Sequence, residues 1–488
     1  MDIVTIDGET ARDFDDAVWV ERLAGGNYAL QVHIADVSHY MRPGSEIDRE
    51  AAIRGTSVYF PDRAVPMLPL ELSTEICSLK PQVDRLVMSA LLEIDHRGDV
   101  VRQEFTRGVI RSAERMTYTD VHALLEGDAP LRERYAKLVE RFELMRELAL
   151  ILNRKRTRRG SIDFDLPEAV IEFDEFGEMT AITRGPRNIA HRIIEEFMLA
   201  ANEAVASHIE SCGLPMVYRI HEIPDPKKIV EFEEIAAQFG VSLGIGKIPA
   251  KRHAISTRRR DGRKTRRDIV LTGDVKVTSR NYQKLIRSIE GKPEERILSY
   301  LMLRSLKQAR YSAENQSHFA LASDCYAHFT SPIRRYPDLL VHRILGSILD
   351  GRPAPYSEER LGKIAEVNST SERVAAEAER ELVNWKKLKF MAEHIGDDFP
   401  ALIINTAKYG FFVELEDLFV EGLVPLDSFA DDRYRYHENS RRIVGERSRT
   451  EFKIGDRLRV RLDRIDAVEK KLQFSVLMPR KHKKGKRR

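Results

Sequence analysis

The spacing of apolar residues changes along the chain, and each change marks a different kind of element. Up to about Gly108 it gives short β-prone runs between turns. Ala17-Val18-Trp19-Val20 is followed by Gly25-Gly26-Asn27, and then by the alternating Tyr28-Ala-Leu30-Gln-Val32-His-Ile34. Two such runs around a glycine-rich turn predict a β-hairpin. From about Tyr118 to Asn153 the chain is dense in Leu, Glu and Arg and reads as helical. Ile189, Ile193, Phe197, Ala201 and Val205 recur every four residues between Asn188 and Cys212. That is one amphipathic helix, stopped by Gly213 and Pro215. A cap followed by proline, Asp225-Pro226, opens another helix that ends at Gly240. Further helices are expected over about 284–311, over 336–349, and from Ser357 towards Met391. The stretch 251–267 has no apolar period and reads as an exposed loop. After Phe399 the strand period returns at 401–404, 410–415, 422–425, 457–461 and 471–475, with a polar loop after the third run. Short strands at this density fit a small OB-type barrel. No internal repeat is present.

At 488 residues and 42% apolar content the chain supports a large core and two to four domains. Cys77, Cys212 and Cys325 are far apart and form no CxxC pair, which argues against a zinc site or a disulfide framework and suits a reducing cytosol. Neither a secretory apolar region at the N-terminus nor a membrane-spanning run is seen. The net charge of +3 hides strong patterning. Nine Lys or Arg and one acid lie between Lys251 and Arg267, and seven more basic residues lie in Pro479 to Arg488. Such blocks are usually solvated segments; beside an acid cluster they also suit a polyanionic partner.

That acid cluster is Asp7, Asp13, Asp15 and Asp16. Carboxylates this crowded stay ionised together only among cations or in well-screened water. Hard oxygen ligands at short spacing suit Mg²⁺ or Mn²⁺, and such ions, one or two at a time, serve phosphodiester chemistry. A calcium loop fails, because Ala17 and Val18 stand fifth and sixth from Asp13 where an oxygen ligand and Gly are required. A solvated turn or helix cap is the bland alternative. The β-run directly after Asp16 weakens it by placing the carboxylates at the mouth of a buried sheet. Spacing does not assign each aspartate to an ion. In an extended segment Asp13 and Asp15 share a side and Asp16 faces away, so convergence needs a bend or bulge.

Eight strings resemble, in order, the motifs of the ribonuclease II / ribonuclease R (RNB) family of exoribonucleases. They are Asp7…Arg12-Asp13-Phe14-Asp15-Asp16-Ala17, Val32-His-Ile-Ala-Asp-Val-Ser38, Arg54-Gly-Thr-Ser-Val-Tyr59, Pro66-Met-Leu-Pro69 with Cys77-Ser-Leu79, His191-Arg-Ile-Ile-Glu-Glu196, Tyr218-Arg-Ile-His221, and Phe329-Thr-Ser-Pro-Ile-Arg-Arg-Tyr336. Tyr409-Gly-Phe-Phe-Val413 and Glu421-Gly-Leu-Val424 resemble the S1-type OB repeat. The resemblance implies an α+β fold: a catalytic domain over 1–395 enclosing an RNA channel, a five-stranded OB-fold barrel over 398–478, and a basic tail over 479–488. It implies hydrolytic, processive 3′→5′ degradation of RNA to nucleoside 5′-monophosphates. The cofactor would be one or two Mg²⁺ ions, with Mn²⁺ able to stand in. The substrate would be single-stranded RNA or a 3′ overhang, and the enzyme a cytoplasmic monomer. The basic tail leans towards the ribonuclease R branch. Family members usually carry cold-shock domains ahead of the catalytic domain, whereas here Asp7 follows Met1 almost at once.

By the same resemblance Asp7, Asp13, Asp15 and Asp16 hold the ions and the attacking water, with Asp13 and Asp15 at the chemistry. Arg334 matches the catalytic arginine, and a guanidinium can grip phosphate oxygens bidentately. Arg335 is expected to touch RNA. Tyr59 and Phe164 match a pair that stacks on bases, which suits a sequence-tolerant enzyme. Glu379 resembles a carboxylate near the active site; its alternative is a charge on a solvated helix. His33, His191 and His221 read as structural. The rivals are an RNA-binding protein without catalysis, and a metal-dependent endonuclease or DNA-acting nuclease.

Overall fold

The computed structural model describes residues 1–164, 169–173, 179–185, 187–246, 250–258, 264–272, 275–438, 440–466 and 471–477. The predicted hairpin forms: Asp16–Arg22 pairs with Tyr28–Ala35 from Asp16↔Ile34 to Arg22↔Tyr28. Gly26 supplies the turn at φ +87°, a conformation that favours glycine. The hairpin lies inside a six-stranded sheet ordered Val100–Arg111, Asp84–Ile94, Tyr28–Ala35, Asp16–Arg22, Val4–Asp7, Glu114–Thr117. Val18, Val20, Leu30, Val32 and Ile34 are fully buried in it.

The helix Ile189–Ser211 begins at Asn188, whose side chain accepts from the Ala190 and His191 N–H groups. Its buried stripe of Ile193, Phe197, Ala201 and Val205 joins Phe142 and Leu148 of the helix Ala136–Arg159 against the sheet. Asp225 caps Pro226–Ala236, Ser357 caps Glu358–Ala392, and Tyr336–Leu349 takes its expected span. The helical stretch from Tyr118 divides into Tyr118–Leu125, Ala129–Arg134 and Ala136–Arg159. Gly127, at φ +98°, ends the first turn of chain and Asp128 caps the next.

Three expectations are corrected. The helical stretch expected over about 284–311 starts earlier and stops sooner, as Ser279–Ile289 and Glu295–Ser305, and Tyr311 lies on the strand Arg310–Ser312. Gly291 at φ +72° and Pro293 interrupt the helical path. The basic run is a β-hairpin, Ala250–Arg258 paired with Lys264–Thr272, because β-branched Ile255, Thr257, Thr265, Ile269 and Val270 favour extended backbone. The polar loop before 457 holds a three-stranded sheet, Tyr434–His437, Arg442–Gly445 and Glu451–Lys453, built on Tyr434, Ile443 and Phe452.

A closed five-stranded barrel completes the fold, ordered Asp398–Ala407, Gly410–Leu415, Glu421–Pro425, Lys471–Val476, Arg457–Asp466. Its interior holds Ile403, Phe411, Val424, Val460 and Phe474. Outward-facing Leu402 and Ile404 pack with Ile229, Phe232, Leu285 and Met302 in a second core shared with the preceding helices.

Candidate active site

Two neighbouring strands deliver the aspartates. Asp7 ends Val4–Asp7 and Asp16 begins Asp16–Arg22. These strands pair at Val4↔Val18 and then splay; continuing that register would set Asp7 opposite Asp15. The connecting loop turns at Gly8, whose carbonyl accepts from the Ala11 N–H at 3.2 Å, and it carries Asp13. This bend brings Asp13 to the cavity that the other three aspartates line. All four aspartates line one cavity of about 520 Å³.

Crowding and burial govern their charge. Burial, then the Asp16 carboxylate, pushes Asp7 up to about 8, against the pull of Arg115. Asp16 is raised to about 6, chiefly by burial, with Arg334 and Arg335 opposing. Burial also holds Asp15 well above the usual carboxylate range, although Arg334 and the Ile333 N–H act the other way. That N–H donates to Asp15 Oδ1 at 2.9 Å.

The facing wall comes from the loop ahead of Tyr336–Leu349. Arg334 Nε lies 3.9 Å from Asp15 Oδ2, and the arginine side chain is 44% exposed. Its guanidinium is therefore loosely held and open to the cavity. Arg335 lines the cavity too, but Nε and Nη2 both donate to Asp338 at 2.8 Å. Asp338 is fully buried and accepts from the Ser331 N–H at 2.8 Å, so this pair shapes the arginine loop.

Tyr59 projects from Val58–Phe60, and its hydroxyl donates to Asp13 Oδ2 at 3.0 Å. The crowded cleft, then Asp13, raises its hydroxyl above the ordinary range. Its backbone N–H donates to Glu379 Oε1 at 2.7 Å, which brings the long helix Glu358–Ala392 to the site. The Arg54–Tyr59 string is explained by its neighbours. Ser57 N–H donates to the Arg334 carbonyl at 2.9 Å, and Tyr336 N–H to the Gly55 carbonyl at 3.0 Å. Gly55 has φ +72°, and a Cβ there would meet Ser371 Cβ at 2.8 Å.

Phe164 is not among the lining residues; it lies partly buried against the second core. Conversely, Tyr118, Glu195, Asn202, Tyr326 and His328 line the cavity without having been singled out. Tyr118 stacks on His191 with centroids 4.0 Å apart. Glu195 accepts from Arg187 at 2.9 Å and from Arg156 at 3.3 Å. Asn202 donates to the Tyr326 hydroxyl at 3.0 Å. His328 Nδ1 sits 2.9 Å from the Tyr311 hydroxyl, and burial holds the ring neutral. The His191–Glu196 string contains Glu195, although its sequence expectation falls on His191 alone. His33 is a core histidine bonded to Ser89 and lowered to about 4 by burial.

A profile for the RNB domain matches residues 1–351, and one for the S1 RNA binding domain matches 394–477. The chain belongs to the RNB family. It is 43% identical over 476 residues to ribonuclease R of Aquifex aeolicus, covering 97% of this chain and 63% of that protein. Ribonuclease R 1 of Lactococcus lactis is 44% identical, with 97% and 55% covered. The chain thus spans about three-fifths of the length of these curated relatives. Mycoplasma genitalium RNase R, solved in complex with ribose-methylated single-stranded RNA, superposes with a TM-score of 0.84 at 28% identity, covering 98% of this chain and 71% of that one.

The donor set of this RNB chain suits a hard divalent cation. Asp7 Oδ2 is buried with no hydrogen-bond partner among the described residues, and three of the four carboxyls are pushed upward by burial, Asp7 also by its neighbouring carboxylates. An ion among them would answer both costs. As placed, no group of three or more His, Cys, Asp or Glu among the described residues closes into a ready coordination sphere. The aspartates share a cavity, and their side chains stand apart within it.

Proposed function

We propose that this chain is a divalent-ion-dependent, processive 3′→5′ exoribonuclease that hydrolyses RNA to nucleoside 5′-monophosphates. The observation that carries the reading is one cavity lined by four aspartates, a loosely held arginine and a partly exposed tyrosine. Mg²⁺ is the proposed ion, with Asp7, Asp13, Asp15 and Asp16 as the residues that would hold it. When bound, such an ion lowers the pKa of water and stabilises charge on phosphate oxygens.

The protein's own groups do the rest. Arg334 grips the scissile phosphate and neutralises charge that grows in the transition state. Tyr59 stacks on the terminal nucleotide, and Glu379 fixes the backbone that presents it. Phe164 would join that stack only after leaving the second core. Arg335 contacts RNA at the cavity wall while Asp338 holds it. The domain reading follows: catalysis in 1–395, RNA binding by the barrel at 398–478, and a basic tail at 479–488, all of which lies outside the described residues. The substrate is single-stranded RNA or a 3′ overhang, bound by a cytoplasmic monomer. No described helix is long and apolar enough to cross a membrane.

The test is a time course on 5′-labelled single-stranded RNA with Mg²⁺, comparing wild type with Asp15→Asn. A short labelled end product with few intermediates, and a variant that binds without cutting, is the expected result. Cleavage of a circular RNA would count against an exonuclease. Binding without cleavage in either Mg²⁺ or Mn²⁺ would leave a binding module.

A further inference from the structure

Among the four aspartates, Asp13 has the least support from regular structure. Asp7 and Asp16 end strands, and Asp15 is held by the Ile333 N–H. Asp13 sits in the irregular stretch between them, yet its backbone is pinned on both sides by one side chain. The Ser78 hydroxyl donates to the Arg12 carbonyl at 2.8 Å and accepts from the Phe14 N–H at 3.0 Å. Ser78 is fully buried, as is its bond from Phe14; its bond to the Arg12 carbonyl is part-buried. Next to it, Leu79 N–H donates to the Phe14 carbonyl at 3.0 Å.

Ser78 is itself anchored. It follows a single π-helical turn, Glu71–Ile76, a geometry that recurs at functional positions. Arg85, on the strand Asp84–Ile94, donates from Nε to the Ser78 carbonyl at 2.9 Å and from Nη2 to the Glu75 carbonyl at 2.7 Å. The rigid sheet thus reaches the Asp13 backbone through Arg85, Ser78 and two hydrogen bonds. This gives the Cys77-Ser-Leu79 string a role that the cavity lining does not reveal.

We infer that Ser78 is a positioning residue that sets Asp13 for ion binding. The inference rests on Asp13 being an ion ligand, as proposed above. Ser78→Ala removes one oxygen and strands the part-buried Arg12 carbonyl and the buried Phe14 N–H on either side of Asp13. Asp13 then loses its fixed direction, and the ion site loses a preorganised ligand.

The experiment titrates Mn²⁺ into RNA-free protein and reads free ion by its paramagnetic resonance signal. RNA affinity in EDTA and the far-ultraviolet dichroism serve as controls. Ser78→Ala is expected to weaken Mn²⁺ by about tenfold, the scale of lost second-layer support. Ser78→Thr, which keeps the hydroxyl, should recover most of it, and RNA affinity in EDTA should not move. If Ser78→Ala binds Mn²⁺ like wild type while Asp13→Asn loses it, the positioning role is wrong and the ligand reading survives. If Asp13→Asn also binds like wild type, the ligand reading falls and takes the inference with it. Equal losses in Ser78→Ala and Ser78→Thr would mark a packing role and overturn the inference.

Discussion

Arg334 and Arg335 are neighbours of the same chemistry, yet their partners set them apart. The first faces Asp15 at 3.9 Å with an open side chain; the second is locked on buried Asp338. Arg334→Lys keeps the charge but loses the planar fork. Single-turnover cleavage should slow by about 10²–10³-fold, the scale for removing one transition-state donor, with RNA affinity in EDTA nearly unchanged. A slowing matched by an equal loss of affinity would reassign Arg334 to ground-state binding. Asp7 carries a second prediction. Its folded carboxyl titrates near 8 against an ordinary 3.8, so the folded state binds the extra proton. Stability of ion-free protein must then fall as pH rises from about 4 to about 8. Urea unfolding in EDTA should show that slope, and Asp7→Asn should make it shallower while leaving the part that the raised Asp15 and Asp16 carboxyls contribute; an equally steep variant would place the titration elsewhere. The aspartates were legible because all four are close in sequence. Tyr118, Glu195, Asn202 and His328 were not, because their company comes from distant segments.

Elements with a strong period or a cap were readable: the Asn188-capped helix, Tyr336–Leu349, the first hairpin and the barrel strands all stand where their patterns place them. Those misread were short and strongly charged. In the hairpin Ala250–Arg258/Lys264–Thr272, basic residues interleave with β-branched ones and mask the period-two signal. How elements meet was the least visible. Nothing in Arg54-Gly-Thr-Ser-Val-Tyr59 announces that the helix Glu358–Ala392 passes so close that Gly55 has no room for a Cβ. Gly55→Ala meets two obstacles, the left-handed backbone and Ser371. It should destabilise by about 1–3 kcal/mol and displace the Tyr59 strand from the Arg334 loop. Ser371→Gly should recover the packing part and leave the backbone part. A double-mutant cycle by urea unfolding reads that coupling, and strict additivity would mean that the helix is not what excludes the Cβ.

At the scale of the molecule, the barrel is joined to the catalytic part by more than the helix Glu358–Ala392. Leu402, Ile404 and Ile454 share the second core with Ile229, Phe232 and Met302, so the helices around 226–305 and the barrel bury one another's apolar surface. The hairpin Ala250–Arg258/Lys264–Thr272 leaves from this same region, touching the helix Pro226–Ala236. The stretch 251–267 concentrates nine basic residues in a chain whose net charge is only +3; six lie on the two strands, and Arg259, Arg260 and Arg263 lie outside the described residues. The hairpin's side chains lie outside the described residues; its charge and its backbone placement are what bear on RNA. A basic ribbon that touches the helix Pro226–Ala236, which shares a core with the barrel, suits contact with phosphates on the incoming strand. Each phosphate neutralised on single-stranded RNA contributes about 0.7 to the slope of log affinity against log salt. Replacing Arg258, Arg259, Arg260 and Arg263 with Gln should lower that slope by up to about 3 on a long substrate if all four make contact. Cleavage of an oligonucleotide short enough to fill only the aspartate cavity should stay the same. An unchanged slope would remove the hairpin from the RNA path and leave its charge to the surface alone.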